Sequence, residues 1–407
     1  MPNPQPAVSR RTLVGAIGAT AAALAVAPAA SAAAATAPST AAPAPSPAGA
    51  PGTAGRGART VSVPATRARS AAGGEAATVR AGFPIRYVGV SWDGPARGAA
   101  IRLHRDGGAP GAWQPLPAGC AGGPDRPHGP HGAAGADSAA EADGPGRPAV
   151  AVTALIAAGG APGYDLRLPD GAGNVRTAAI DTVHGPARGL ALAPTTPVTF
   201  CGTEYLSRAA WGADESKRFK NGVENSPPKY YPLQTLTVHH TDTPNADPDP
   251  AATVRAIYEY HAVTLDWGDI GYHFLIDEAG RIYEGRWSGD DGTPAHDASG
   301  NVVTAFHTAG YNSGNLGIAL LGTLSGQEPT APARRSLTAL LALLTRTHGL
   351  DPQAHVTFVN PVNGVTRPVD LISGHRDWLA TDCPGGTMYA TLPALRAEVA
   401  ALGGTAH

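Results

Sequence analysis

The chain is poor in the residues that build disulfide frameworks, nucleic-acid surfaces and membrane spans. It holds 3 cysteines in 407 residues, too few for a scaffold that depends on disulfides. Its formal net charge of −2 provides no basic surface for nucleic acid or for an acidic membrane. No apolar run is long enough for a stable membrane span. These shortages argue against nucleic acid as the partner and favour a neutral or mixed-charge ligand.

Glycine and proline are, by contrast, abundant and unevenly distributed. The 52 glycines and 39 prolines make up about a fifth of the chain, where about 12% is usual. At about 100–200 residues per domain, the length predicts two domains with tails. Residues 33–80 are rich in alanine, proline, serine and threonine and have almost no large apolar side chains. Such a segment buries too little surface to offset its chain entropy, so we predict a disordered linker there.

Residues 1–32 have the features of an export signal. The pair Arg10-Arg11 precedes a weakly apolar run over 13–27, and Ala27-Pro28-Ala29 and Ala30-Ser31-Ala32 both offer a cleavage site. The arginine pair favours twin-arginine export, and a general secretory signal that carries two arginines is the alternative. The apolar run is too short and too rich in alanine to remain in a membrane. We therefore expect a secreted, extracellular or cell-wall-associated protein with no stable membrane span after signal removal.

Residues 81–200 form a separate region of short, partly alternating apolar runs, which are typical of strands. A stretch rich in glycine and proline, 119–148, interrupts them and is interpreted as a surface insertion. We predict a small β-rich, sandwich-like accessory domain here. If Cys383 holds a metal, Cys120 and Cys201 are left as a possible disulfide pair outside the cell, with free thiols as the alternative.

Residues 201–407 combine strand-like and helix-like segments, which predicts a mixed sheet covered by helices. The strand-like segments end at polar residues or glycine-containing turns, and the helix-like segments carry apolar stripes at helical spacing. The strands are expected at 236–238, 272–276, 281–284 and 316–321, and the helices at 251–263, 333–348 and 387–402.

Three side chains in this region have the chemistry of a metal site: His239, His375 and Cys383. Two imidazoles and a thiolate are donors that Zn²⁺ prefers, and three protein ligands leave one tetrahedral position open, as in catalytic zinc sites. Neighbouring strand residues point to opposite faces, so only one of the pair His239-His240 is expected at the metal, with His240 as a core histidine. The alternatives are an inert buried thiol at Cys383 and a core histidine at His239.

Such a zinc centre would be a mild Lewis acid. Two neutral imidazoles and one thiolate leave the site with a net charge of about +1, which still polarises a carbonyl and lowers the pKa of bound water. Because the thiolate donates charge to the metal, the site needs hydrogen-bonding help for the oxyanion formed when water attacks an amide. No His-Glu-x-x-His motif supplies a glutamate base.

Several motifs occur in an order that resembles one known family, over about residues 203–402. The sequence resembles the peptidoglycan recognition proteins, which share their fold with type 2 N-acetylmuramoyl-L-alanine amidases. The motifs are Leu206-Ser207-Arg208-Ala209-Ala210-Trp211-Gly212-Ala213, Val238-His239-His240-Thr241, Asp269-Ile270-Gly271-Tyr272-His273-Phe274-Leu275-Ile276, Ile282-Tyr283-Glu284-Gly285-Arg286, His307-Thr308-Ala309-Gly310-Tyr311-Asn312-Ser313, Leu316-Gly317-Ile318-Ala319-Leu320-Leu321-Gly322, Gly374-His375-Arg376-Asp377 and Cys383-Pro384.

The resemblance implies an α/β mixed-sheet zinc amidase domain over 201–407, with a groove for the glycan and the stem peptide of peptidoglycan. It implies Zn²⁺ on His239, His375 and Cys383. It also implies two catalytic residues, Tyr272 beside the metal and Thr381 two positions before the cysteine. A threonine there can donate a hydrogen bond but brings no positive charge, unlike the lysine of some phage members.

The resemblance further implies substrate-binding roles for His307, Tyr311 and Asn312, and matches Trp267 and Arg286 to regions that line the groove. Packing roles are the alternative for these side chains. The expected reaction is hydrolysis of the amide between N-acetylmuramic acid and L-alanine. The competing functions are a non-catalytic peptidoglycan-binding module and a zinc peptidase that cleaves a different bond of the bacterial cell wall.

Overall fold

The structure is a computed structural model that describes residues 59–105, 107, 109–116, 119, 122–125, 150–192, 198–290 and 293–403. All of these residues belong to one compact unit, Arg56–His407. The expected export signal and Cys120, with its possible disulfide to Cys201, lie outside the described residues. Among the described helices, none has both the length and the apolarity that crossing a membrane requires.

The N-terminal region is an antiparallel β-domain. Its strands, numbered along the chain, are β1 (Arg59–Pro64), β2 (Arg67–Ala72), β3 (Thr78–Asp93), β4 (Ala100–Leu103), β5 (Gln114–Pro115), β6 (Val150–Val152), β7 (Ile156–Arg167), β8 (Gly173–Asp181) and β9 (Ala187–Leu192). Seven of them form one sheet in the order β2-β8-β3-β7-β4-β5, with β6 also paired to β3, while β1 and β9 form a two-stranded ribbon. The long β3 carries Ile85, Val88, Val90 and Trp92 into the domain core.

Two expectations for this region need revision. Residues 59–80, which the composition assigns to a disordered linker, instead contain β1, β2 and the start of β3. They are ordered because their backbone pairs with the domain: β2 lies along β8 and β1 lies along β9. The β-rich character is present, but a sandwich is not confirmed, since the described strands form one sheet of seven and one ribbon of two.

The C-terminal region contains the remaining strands and all five α-helices of the described chain. The strands are β10 (Val198–Phe200), β11 (Thr203–Tyr205), β12 (Phe219–Lys220), β13 (Val223–Glu224), β14 (Tyr230–Tyr231), β15 (Thr235–His240), β16 (Phe274–Ile276), β17 (Ile282–Glu284), β18 (Val302–Val303), β19 (Asn315–Leu320), β20 (His355–Val359), β21 (Thr366–Asp370) and β22 (Ile372–Gly374). The helices are α1 (Arg208–Trp211), α2 (Pro250–Glu259), α3 (Ala331–Thr347), α4 (Gly386–Ala390) and α5 (Leu392–Gly403).

A five-stranded mixed sheet is the centre of this domain, as the sequence predicts. Its strand order is β17-β16-β19-β15-β22. The pairs β16/β19, β19/β15 and β15/β22 are parallel, and only the β16/β17 hairpin is antiparallel. Every residue of β15 and β19 is buried, which suits strands that have helices on both faces.

Helices α3 and α5 cover one face of the central sheet. The side chain of Thr330 caps α3 by accepting a hydrogen bond from Ala333 N. The single helix predicted over 387–402 is instead two helices, α4 and α5, because the helix is interrupted at Thr391. Pro393 then sits in the first turn of α5, where its missing N–H costs no hydrogen bond.

Helix α2 covers the other face and is itself covered by the N-terminal sheet. The predicted helix over 251–263 is observed as α2 followed by a π-helical turn, Tyr260–Thr264. One apolar cluster joins the N-terminal sheet, α2 and the central sheet, with Ile180, Val254 and Ala319 as representatives of the three layers. The accessory domain therefore shares a core with the C-terminal domain through α2.

This contact between domains is close and partly polar. The hydroxyl of Tyr87 lies 2.8 Å from Thr253 Oγ1, and the hydroxyl of Tyr260 donates to Val90 O at 2.7 Å. A Cβ on Gly89 would lie 2.3 Å from the ring of Tyr260. The tyrosine ring therefore packs directly on the β3 backbone, which requires glycine at this position.

Candidate metal centre

Strand register brings the two predicted histidine ligands together. In the parallel β15/β22 pair, Val238 lies opposite Gly374, so His239 and His375 follow at the same level of the sheet. Their ring centroids are 4.5 Å apart. The parallel register of β15 and β22 therefore brings together two histidines that are far apart in the sequence.

The loop after β22 returns Cys383 to the end of β15. Its Sγ lies 3.6 Å from Nδ1 of His239 and accepts a hydrogen bond from His240 N at 3.3 Å. The side chain of Thr381 accepts a hydrogen bond from Cys383 N at 3.2 Å, which ties the loop just before the thiol. The same Sγ lies 3.7 Å from His240 O, so the backbone of His240 holds the sulfur at the end of β15.

The ligand atoms of His239, His375 and Cys383 lie within 4.8 Å of one another, and all three residues are buried. Neither ring nitrogen of His375 has a hydrogen-bond partner among the described residues, although the side chain is fully buried. A buried imidazole without a partner costs free energy unless something else binds it. An unpartnered imidazole beside a second imidazole and a thiol fits the donor set of a tetrahedral zinc ion.

The neighbouring His240 faces away from this cluster. Its Nδ1 accepts a hydrogen bond from Leu324 N at 3.1 Å, on the face of the sheet that carries α3. Strand alternation thus separates the two adjacent histidines as the sequence predicts, and His240 is a core histidine with a backbone partner.

His307 contacts a predicted ligand directly, which the sequence analysis did not anticipate. Its Nδ1 lies 3.0 Å from Nε2 of His239, and its Nε2 lies 3.0 Å from Asn315 O. Burial and the neighbouring His239 lower the pKa of His307 well below its usual value. The ring lies flat against β19, where a Cβ on Gly317 would be 2.5 Å from it. Only 2% of His307 is exposed in this structure, and its substrate-binding role stays a prediction.

Tyr272 lies beside the metal cluster at the entrance to β16. Its ring centroid is 5.3 Å from that of His239, and its side chain is buried. The preceding Gly271 is held on both sides: its N–H donates to Nδ1 of His261 at 3.0 Å, and its carbonyl accepts from Phe306 N at 3.1 Å. His261, which lies in the helix predicted over 251–263, is therefore a positioning residue for the segment that carries Tyr272.

Tyr311 and Asn312, the other predicted substrate residues, lie on the loop between β18 and β19. Tyr311 is partly exposed and packs against Trp378, with ring centroids 5.5 Å apart. Asn312 is fully buried, and its Oδ1 accepts a hydrogen bond from Thr308 N at 2.8 Å. Substrate binding by either residue remains a prediction, and Asn312 has no exposed surface in this structure.

Trp267 and Arg286, which were matched to the groove, are mostly buried. The guanidinium of Arg286 lies 4.1 Å above the ring of Phe306 and donates to Ser226 Oγ at 2.8 Å. Burial lowers the pKa of Arg286 to about 10. Trp267 meets Phe306 edge to face, with ring centroids 6.4 Å apart. Arg286 and Trp267 therefore pack around Phe306, and we call this packed surface and the adjoining loop 306–313 the Phe306 wall.

Asp125 is a residue of this wall that sequence reasoning missed. It belongs to the stretch 119–148, which was interpreted as a surface insertion, yet its carboxylate bonds to Asn312 and Ser313. No local pattern marks it, because a single aspartate in a segment rich in glycine and proline is typical of a turn.

Comparison with known proteins relates the C-terminal region to one family. A family profile described as N-acetylmuramoyl-L-alanine amidase matches residues 229–386. The chain is 34% identical over 169 residues to human N-acetylmuramoyl-L-alanine amidase, over 40% of this chain and 24% of that protein. It is 30% identical over 200 residues to Peptidoglycan-recognition protein SC2 of Drosophila melanogaster, over 47% of this chain and 89% of that protein.

Solved structures give a match over the same part of the chain. Wild-type Drosophila PGRP-LB aligns at 25% identity and a TM-score of 0.35, over 47% of this chain and 92% of its own. The chain spans only about a quarter of the length of the human, pig and mouse amidases that it matches, at 24%, 26% and 29%. By contrast, the match covers 89% of the length of the shorter Peptidoglycan-recognition protein SC2.

Proposed function

The chain belongs to the family of N-acetylmuramoyl-L-alanine amidases and peptidoglycan recognition proteins, and from this membership we propose that it is a zinc-dependent peptidoglycan amidase. The bond cleaved is the amide between the lactyl carbonyl of N-acetylmuramic acid and L-alanine of the stem peptide. The products are a free glycan carboxylate and a stem peptide with a new L-alanine amino terminus.

One observation carries the proposal: the buried convergence of His239, His375 and Cys383, with both nitrogens of His375 unpartnered among the described residues. A module that only binds peptidoglycan has no need of three metal-binding side chains in a fully buried cluster. Cys383 supports the proposal most strongly, because peptidoglycan recognition proteins that bind peptidoglycan without hydrolysing it typically lack the cysteine ligand.

The residues around the cluster have distinct proposed roles. His239, His375 and Cys383 hold Zn²⁺, which when bound supplies a Lewis acid for the amide carbonyl and for water. Tyr272 donates a hydrogen bond to the developing oxyanion. Thr381 orients the cysteine loop through Cys383 N and contributes no positive charge, so Tyr272 carries most of the oxyanion stabilisation.

The proposal places the protein outside the cytoplasm, with peptidoglycan as its partner. The arginine pair and the apolar run in residues 1–32 support export. Peptidoglycan is an extracytoplasmic polymer, so export and substrate agree. The net charge of −2 suits a polymer that carries both charged peptides and neutral sugars.

The test is digestion of purified cell walls by the zinc-loaded full-length protein. We expect new L-alanine amino termini and no new reducing sugars. Cys383→Ser should lose zinc and at least about a hundredfold of activity, because the Lewis acid is worth several kcal/mol. Cys201→Ser is the matched control, since Cys201 is exposed and outside the metal cluster.

The alternative function, a non-catalytic binding module, predicts a different result. Protein that carries zinc would then sediment with walls without releasing any amino termini. New D-amino-acid termini would instead indicate a zinc peptidase. Full activity in Cys383→Ser would remove the ligand assignment itself.

A further inference from the structure

A short segment of the accessory domain lies on the wall beside the metal centre. We call residues 122–125 the strap. Gly123 N donates to Phe306 O at 3.2 Å, and Asn312 Nδ2 donates to Gly123 O at 2.7 Å. The strap thus follows the loop 306–313, whose His307 bonds to the predicted ligand His239.

The close approach depends on glycine. A Cβ on Gly122 would lie 2.4 Å from Phe306 O and 2.6 Å from the ring of Trp267. Any larger residue would push the strap away from this wall. The backbone of the strap therefore covers the side chains that the resemblance matches to the groove.

Asp125 completes the contact through four hydrogen bonds to two residues. Its Oδ1 accepts from Asn312 N at 3.1 Å and from Asn312 Nδ2 at 2.9 Å. Its Oδ2 accepts from Ser313 N and from Ser313 Oγ, both at 2.8 Å. Asn312 and Ser313 are fully buried under it. Four donors that converge on two oxygens form a receptor for a carboxylate, since hydrogen bonds to a charged acceptor are the strong ones.

We propose that the four donors of Asn312 and Ser313 are a carboxylate-binding subsite of the groove, which Asp125 fills from within the same chain. A peptide ligand with a carboxylate then competes with the strap for this subsite. That the ligand is a stem peptide rests on the proposed function. The strap therefore sets how readily the groove opens to substrate.

The exchange of one carboxylate for another is balanced in hydrogen bonds. Removing Asp125 alone would leave four buried donors without an acceptor, which is costly. A ligand carboxylate satisfies the same four donors, so displacement of the strap costs only the two backbone bonds of Gly123, to Phe306 O and from Asn312 Nδ2. The strap is held mainly by polar contacts, and Asp125 itself is only partly buried.

The experiment compares Asp125→Asn with Asp170→Asn, a control on an exposed turn of the same domain. Hydrogen exchange of the peptide 306–313 reports whether the strap is docked. Affinity is measured in the Cys383→Ser background, without turnover, for an N-acetylmuramoyl tripeptide with free carboxylates and for its fully amidated form.

We expect faster exchange in Asp125→Asn alone, and an affinity for the free-acid tripeptide that rises about tenfold, the effect of one charge-assisted hydrogen bond. The amidated form should gain less. Equal exchange in Asp125→Asn and in the parent chain overturns the inference, and so does an equal gain for both forms of the ligand.

The same measurements separate this inference from the proposed function. If Asp125→Asn binds the tripeptide more tightly but the zinc-loaded protein without substitutions hydrolyses nothing, the amidase proposal is contradicted and the carboxylate subsite is retained. Hydrolysis by the parent chain with no gain in Asp125→Asn contradicts the subsite and leaves the amidase standing.

Discussion

Nε2 of His239 lies 3.0 Å from Nδ1 of His307, and this contact sets which nitrogen of His239 is available to a metal. His307 must donate through Nε2, because its partner there is the carbonyl of Asn315. A neutral His307 then accepts at Nδ1, so His239 donates from Nε2. The lone pair of His239 is left on Nδ1, the nitrogen that faces Cys383 Sγ.

His307→Ala should therefore weaken zinc binding. Without its acceptor, His239 loses both its tautomer preference and its orientation, and losses of this kind cost about 10–100-fold in metal affinity. The measurement is zinc competition against a chelating dye, with His355→Ala as control because His355 is exposed. Unchanged zinc affinity in His307→Ala would mean that the sheet alone orients His239.

Tyr272→Phe should keep zinc and lose activity. The ring still packs beside His239, but one hydrogen-bond donor to the oxyanion is gone, which costs about 10²–10³ in kcat. Tyr164→Phe is the control: its hydroxyl donates to Thr177 in the accessory domain, so it should lower stability and leave kcat intact. Full activity of zinc-loaded Tyr272→Phe would assign oxyanion stabilisation elsewhere.

Gly89→Ala should loosen the contact between the two domains. The added Cβ would overlap the ring of Tyr260 at 2.3 Å, and overpacking of this kind costs about 1–3 kcal/mol of unfolding free energy. Gly74→Ala is matched, because no atom lies within 4 Å of its added Cβ. Urea unfolding checks both variants, and equal midpoints would show that Tyr260 moves aside freely.

The stability of the fold should fall in acid partly through His273. Burial lowers the pKa of His273 from 6.5 to about 3, while its ring bonds to Val303 O and Gly317 N. Between these values the unfolded chain binds a proton that the folded chain does not. Stability is thus complete above pH 6.5 and declines as the pH falls towards 3, by up to about 1.4 kcal/mol per pH unit.

The check is the pH dependence of the unfolding free energy in metal-free Cys383→Ser protein, with and without His273→Gln. We expect His273→Gln to be less stable at pH 7 and to have a shallower decline between pH 6.5 and 4. Parallel curves for the two proteins would show that His273 titrates alike in the folded and unfolded states.

Much of the C-terminal domain could be predicted from local pattern. The strand that ends at His239, the buried strand around Ile318 and the leucine stripe of α3 are all visible as apolar periodicity. The three candidate ligands stand out because few other residue types bind zinc. Their convergence depends on the parallel β15/β22 register, which local pattern does not encode.

The errors fall where distant contacts override composition. Residues 59–80 look disordered by themselves, but they gain backbone hydrogen bonds from β8 and β9. The stretch with Asp125 looks like a surface loop, yet its carboxylate finds four donors in a loop far along the chain. In both cases the partner strand or loop supplies the order.

By itself the sequence determined the chemistry available to this protein: two imidazoles, a thiol and a tyrosine, on or next to strands whose apolar pattern is visible in the sequence. Only the tertiary structure decided how that chemistry is arranged. It buried His307 behind His239, joined the accessory domain to α2 through Gly89 and Tyr260, and brought Asp125 to Asn312. The reason is physical: side-chain identity is a local property, whereas register, packing and hydrogen-bond satisfaction depend on which distant segments meet.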